Sequence, residues 1–207
     1  MITNPKRHKR IKEFIDKNHE VMNDYYELGE ASVTNAKAKL ALKKFIEQDP
    51  DFYDPYLDLA RLVGGKEGQK LLQQAFERAI LRIVDKNGDW PVLMSWGWLE
   101  NRHLMRVIET WAVVLWGEGK TEGALEIFRR LFHANPDDNQ GARHYILALR
   151  LGLGTDWFKL FEVTDGPLAG QAVDVIAIGK WFDENMKKFS DEFGWWPEAL
   201  KKLGYTD

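Results

Sequence analysis

Apolar residues recur three and four positions apart over most of this chain, the stripe of an amphipathic helix, while period-two alternation is scarce. The pattern predicts helices over 20–28, 36–47, 54–63, 69–84, 101–116, 122–133, 140–151 and 168–189. The breaks between them have local causes. Gly64-Gly65 and Gly117 with Gly119 end two helices, because glycine accepts the left-handed cap conformation. Asp49-Pro50 and Asn135-Pro136 end two more, since the residue before proline is pushed out of the helical region. Thr121 is placed to cap one helix, and the turn Thr164-Asp165-Gly166-Pro167 sets a proline at the start of another.

Helix pairs joined by short turns invite a search for repeats. Over 105–138 the chain places Trp111 and Ala112 on a first helix, Leu115 and the turn at Gly119 after them, then Ala124, Phe128 and Leu131 on a second helix, closed by Pro136. One unit earlier, Leu59, Ala60 and Val63 precede Leu72, Phe76 and Ala79 in the same order. Earlier again, Tyr25 and Tyr26 precede Ala38, Leu42, Phe45 and Pro50; later, Tyr145, Ile146 and Leu149 open a unit whose second half departs at Phe158, Glu162 and Asp165. This order resembles the tetratricopeptide repeat, a helix-turn-helix unit of about 34 residues. The resemblance implies an all-α, single-domain α-α superhelix with units near 19–52, 53–86, 105–138 and 139–172. A Trp-rich insertion over 87–104 is read as an ordered excursion, and 168–207 as a helical carboxyl-terminal cap, its stripe formed by Leu168, Ala172, Val175, Ile176, Trp181, Phe182, Met186 and Phe189.

In that family the first helices line a concave groove that takes peptides or protein tails. Carried onto this sequence, the groove positions are Leu57, Asp58 and Arg61, then Arg106, Glu109 and Val113, then Gln140, Arg143 and His144. The carboxylate clamp of some members is not reproduced, since Asn23 and Glu27 stand at its first positions. Arg106 and Arg143 form a candidate pair of forks for an acidic ligand; the competing reading pairs each with a local carboxylate. The strings Trp96–Arg102 and Asn135–Arg143 also resemble stretches of some repeat proteins, and a polar network joining Arg102 to Arg143 is expected from them. The function implied is a non-enzymatic scaffold that binds a protein or peptide partner, without cofactor or metal.

Composition narrows the alternatives. The chain has 207 residues, 44% apolar and 29% charged, with net charge -3 and no cysteine. Disorder, disulfides and thiolate chemistry are excluded on those figures. No apolar run approaches the roughly 20 residues of a membrane helix, and no signal peptide is recognised, so a cytoplasmic protein is expected. The five histidines, at 8, 19, 103, 133 and 144, show no metal-ligand spacing, and most of them read as surface or interface residues. The glycines of 62–68 lack a phosphate-loop pattern, and Ser32, Ser95 and Ser190 lack a nucleophile context. Asp49, Asp51, Asp54 and Asp58 read as charges around a helix amino terminus. The basic run Lys6, Arg7, His8, Lys9, Arg10 and Lys12 reads as a solvated helix start ahead of nucleic-acid binding, because acidic residues follow at once. An enzymatic alternative would gather Glu100, Arg102, His103 and Arg143 in one pocket.

The chain also holds nine tryptophans. Trp111, Trp116 and Trp181 fall in the helical register and are assigned to packing, while Trp98 and Trp157 stay open between core and surface. Trp90, Trp96, Trp195 and Trp196 lie outside it and are the interface candidates, since tryptophan and arginine dominate interface energetics. Self-association through Phe193-Gly194-Trp195-Trp196-Pro197 is the second expectation within that class.

Overall fold

A computed structural model of the chain describes residues 12–30, 34–167 and 169–204. The basic run up to Arg10 and the cap residue Leu168 lie outside them. Helices α1 (Met22–Glu30), α2 (Asn35–Gln48), α3 (Asp54–Val63), α4 (Gly65–Ile83), α5 (Leu99–Gly117), α6 (Thr121–Ala134) and α7 (Ala142–Arg150) follow one another. Their ends follow from local chemistry. Thr34 caps α2 by accepting the Lys37 amide, and Pro55 sits in the first turn of α3. Gly64 and Gly65, both at positive φ, turn α3 directly into α4. There the two helices cross so closely that a Cβ on Gly68 would collide with the backbone carbonyl of Ala60.

Each of α2 to α7 packs on the next, and α3 also touches α5. Helix α5 is central: Asn101, His103, Leu104, Met105, Val107, Ile108, Trp111, Ala112 and Trp116 are buried along it, on more than one face. Against it lie Ala75 and Ala79 of α4, and Ala124, Phe128 and Leu131 of α6. The small residues let the helices approach, and the large ones fill the space between crossings.

The link between α4 and α5 is ordered and inserted. Met94 is fully buried and donates its amide to the Ala134 carbonyl at 2.6 Å. Leu93 accepts the Phe14 amide at 2.8 Å, so the segment before α1 runs beside the insertion. Asn101, in the first turns of α5, holds both: its Nδ2 donates to the Phe14 and Ser95 carbonyls at 3.0 Å each, and its Oδ1 accepts the Asp16 amide at 3.0 Å.

The carboxyl-terminal region departs from the predicted continuous helix over 168–189. A 3₁₀ turn at Trp157–Phe161 replaces the second helix of the last unit, and Glu162 bridges to Val173 across a loop. Helix α8 (Val175–Asn185) starts only after Asp174, whose side chain caps the Ile176 and Ala177 amides. Val175 and Ile176 are 72% and 70% exposed and leave the expected stripe; Phe182 is buried, with Ile178 beside it, Trp181 stacks on Trp157, and Met186 and Phe189 pack half-buried against the core. A 3₁₀ turn (Met186–Lys188) and the short helices α9 (Ser190–Phe193) and α10 (Trp196–Leu203) complete the described chain. The described residues are all-helical apart from isolated bridges, and none of their helices is long and apolar enough to cross a membrane.

Candidate functional site

Helices α1, α2 and α3 enclose a cavity of about 510 Å³, and Arg106 of α5 closes one side of it. Its walls are apolar, from Leu28, Leu42, Leu57 and Leu62, and its polar groups sit at the floor and rim. At the floor, Arg106 forks onto the buried Asp54, with Nε donating to Oδ1 at 2.9 Å. The Tyr26 hydroxyl accepts from Arg106 at 3.1 Å and donates to Asp54 at 3.3 Å. At the rim, Tyr25 donates to Asp58 at 2.7 Å, and Arg61 pairs with Asp58 at 3.0 Å while staying 78% exposed. Burial and the neighbouring Asp58 and Asp54 push the Tyr25 hydroxyl far above its ordinary range, so it remains a donor throughout.

Further along α5, Glu109 accepts from Gln140 at 2.6 Å and from Tyr145 at 3.4 Å. Burial pushes its carboxyl up to about 7, against the pull of those two donors. Arg143 pairs with Asp138 at 2.9 Å and lies over the rings of Phe182 and Trp196, at 5.4 and 5.2 Å. Asp138 also accepts the Ala142 amide at 2.7 Å and so shapes the entry to α7; burial raises its carboxyl to about 6, opposed by Arg143. Arg106 and Arg143 are therefore each engaged by a carboxylate of their own chain. His144 turns against Phe182 and Trp157, and burial lowers its imidazole to about 4.

The four candidate interface tryptophans are each half-buried and engaged with their own chain. Trp96 packs on the guanidinium groups of Arg102 and Arg106, at 5.3 and 5.7 Å. Trp90 lies near Arg130 in a crevice beside α4 and α6. Trp195 stacks on His133 at 4.0 Å and donates to the Glu192 carbonyl, and Trp196 donates to the Pro136 carbonyl at 2.6 Å. Phe193 is buried, so the proposed self-association segment is packed on its own chain, with both tryptophans against Phe132. These residues lie outside the helical register because they fasten loops and chain ends to the stack. Among the described residues the widely exposed tryptophan is Trp98, at 44%.

The residues of the enzymatic alternative occupy separate settings. Arg102 donates to the Trp96 carbonyl at 3.0 Å, Arg143 lies on Asp138, and His103 is fully buried against Phe52 and Tyr53. Glu100, at the start of α5, is half-buried and shares no hydrogen bond with them. The expected network from Arg102 to Arg143 is likewise replaced by a smaller link, in which the Trp96 amide donates to Asn135 at 3.3 Å.

A second cluster was missed by the sequence. His19 and His103 are not surface residues; both are buried, and both Nε2 atoms lie 3.2 Å from one oxygen of the buried Asp16. The donor atoms of Asp16, His19 and His103 fall within 4.8 Å of one another, a spacing that a metal ion could span. The hydrogen bonding argues otherwise. The Tyr53 amide donates to His103 Nδ1 at 3.2 Å, which leaves the proton of a neutral ring on Nε2, the nitrogen a metal would need. Around the cluster the aspartates assigned to a helix end take individual partners: Asp49 binds His19, Asp51 binds Arg78 at 2.7 Å, and Asp54 binds Arg106. His19 and His103 stand 84 residues apart, a separation that carries no spacing signal; only the proximity of Asp16 and His19, three apart, was visible.

The chain matches no family model, no curated protein and no solved structure.

Proposed function

We propose that this chain is a tetratricopeptide-like scaffold that binds a protein or peptide segment along α1, α3 and α5. The observation that supports this reading is the cavity of about 510 Å³ between helix pairs, apolar on its walls and lined at floor and rim by already-paired polar groups. An apolar side chain of the partner enters between Leu28, Leu42, Leu57 and Leu62, and burial of a leucine- or phenylalanine-sized group contributes about 1.5–3 kcal/mol. The partner backbone then meets Tyr25, Asp58 and Arg61 at the rim. Because Asp54, Tyr26 and Arg106 hold one another, the floor is organised before the ligand arrives and little ordering cost is left for binding.

A displayed library of random peptides, panned against the protein, tests the reading. Recovered peptides are expected to carry a recurring apolar anchor and to weaken at least tenfold against both Leu57→Arg and Arg61→Glu, by fluorescence polarisation with circular dichroism as the folding control. Peptides that bind both variants as tightly as the wild type refute the groove.

A further inference from the structure

The imidazole of His19 lies completely buried just before α1, with both ring nitrogens facing carboxylates. Nδ1 is 2.7 Å from Asp49 Oδ2, and Nε2 is 3.2 Å from Asp16 Oδ2. A neutral imidazole has one N–H and one lone pair, so either tautomer would turn a lone pair onto a carboxylate oxygen. Only the doubly protonated ring satisfies both contacts. His103, beside it at 4.6 Å between ring centroids, is the contrasting case: one nitrogen accepts from the Tyr53 amide, and the ring is accommodated neutral.

We infer that His19 is a buried imidazolium tying Asp16 to Asp49, and that this tie is a proton-operated latch holding the segment 12–21 and α1 on the helical stack. The charges around it fit. From the amino-terminal segment come Asp16 and Lys17, whose Nζ is 3.7 Å from Asp49. The α2–α3 link brings Asp49 and Asp51, α4 brings Arg78 and Arg82, and α5 brings His103. Arg82 donates to Asp16 at 2.7 Å and Arg78 to Asp51 at 2.7 Å. With His19 charged, Asp16 and Asp49 share a buried cation between them; with it neutral, Asp16 keeps Arg82 and Asp49 keeps only the exposed Lys17 at 3.7 Å.

The titration behaviour agrees. Burial works to lower the His19 imidazole, but the Asp16 and Asp49 carboxylates overrule it and raise it above its ordinary 6.5. Burial likewise works to raise the Asp16 and Asp49 carboxyls, yet their donors hold both below the usual range. A raised histidine contributes its full stabilisation below pH about 6.5 and loses it as pH climbs through the higher folded value. The latch therefore opens on the alkaline side. Asn101 keeps hold of Phe14 and Asp16 at the upstream end. What loosens is the downstream end, where the His19 carbonyl accepts the Met22 amide at 3.0 Å and α1 begins. Helix α1 carries Tyr25 and Tyr26, so an effect on ligand binding rests on the groove reading above; the latch itself does not.

Histidine ring nitrogens of the wild-type chain, assigned by triple-resonance methods and followed by ¹H–¹⁵N correlation from pH 5.5 to 9.5, provide the test, with hydrogen exchange of residues 19–30 over the same range. At pH 7 the His19 ring is expected to show both nitrogens protonated. Normalised for intrinsic rate, exchange over 19–30 should accelerate through the His19 titration by up to about tenfold per pH unit, the ceiling for release of one proton, while α5 and α6 stay unchanged. His19→Gln should show raised exchange over 19–30 at every pH with no step. A neutral His19 at pH 7, a titration at or below pH 6.5, or exchange over 19–30 that ignores the titration overturns the latch. The ring spectrum needs no variant, so a misfolded His19→Gln does not weaken the test. Neither readout uses a ligand, so failure of the groove and failure of the latch are separate results.

Discussion

Replacing Arg106 with methionine strands Asp54. In the folded chain the Asp54 side chain is almost inaccessible, and the Arg106 guanidinium is its charged partner, bonded to both carboxylate oxygens. Methionine keeps most of the aliphatic stem but removes both bonds, leaving only the Tyr26 hydroxyl at 3.3 Å. Removing one partner of a buried ion pair costs about 3–5 kcal/mol. Arg106 is 34% exposed, so water reaches the vacated position and the lower end of that range, about 3 kcal/mol, applies. For a chain of this size each kcal/mol moves Tm by about 2–4 °C, giving a fall of about 6–12 °C in thermal melts followed by circular dichroism. The double variant Asp54→Asn with Arg106→Met should recover to within about 1 kcal/mol of the wild type, because no charge is then left buried without a partner. If Arg106→Met costs less than about 1 kcal/mol, or the double variant is as unstable as the sum of the single ones, the account of a preorganised floor is wrong.

Two further perturbations follow from the buried polar groups. Glu109 is raised to about 7 by burial, so the folded chain keeps its proton while the unfolded chain has already released it; its contribution is intact below pH about 4.5 and is lost as pH rises to about 7. Glu109→Gln should therefore gain on the wild type by about 3 kcal/mol across that window in urea melts, and a difference that stays flat with pH would contradict the assignment. Asn101→Ala removes the side chain that joins Phe14, Asp16 and Ser95, and leaves buried backbone groups unpaired at a cost of about 3 kcal/mol. Hydrogen exchange should rise over 13–19 and 93–96 together; release of only one of the two segments would show that Asn101 does not couple them.

The helices were legible where one periodic face meets one neighbour. The pattern over 54–63 coincides with α3, and that over 101–116 falls within α5. The same reasoning failed over 168–189, where Val175 and Ile176 fit the stripe but stand in the first turn of α8 facing solvent. Periodicity is blind to where a helix begins when a side-chain cap, here Asp174, sits inside an apolar run. The packing contacts of the tryptophans were hidden for a related reason. A large aromatic outside the helical register reads as spare, yet Trp96, Trp195 and Trp196 use ring faces and N–H groups to secure loops that periodicity does not describe. The His19–His103 contact was illegible because it depends on how the segment before α1 and the insertion before α5 are folded back together, and neither has a repeating pattern.

Pairing of charges also changes what the groove can recognise. The residue pattern offered Arg106 and Arg143 as open forks for an acidic ligand, but Asp54 and Asp138 occupy them. A ligand carboxylate would have to displace a buried internal carboxylate of equal charge, and would then leave that group without a partner, which costs more than an exposed ion pair returns. The groups still open to a partner at the cavity are the leucine walls, the Tyr25 hydroxyl shared with Asp58, and the exposed Arg61. On the proposed groove reading, selectivity would come from the shape of an apolar anchor, while Arg106 ties α5 to Asp54 of α3 beneath it and Arg143 is held away from the cavity on Asp138.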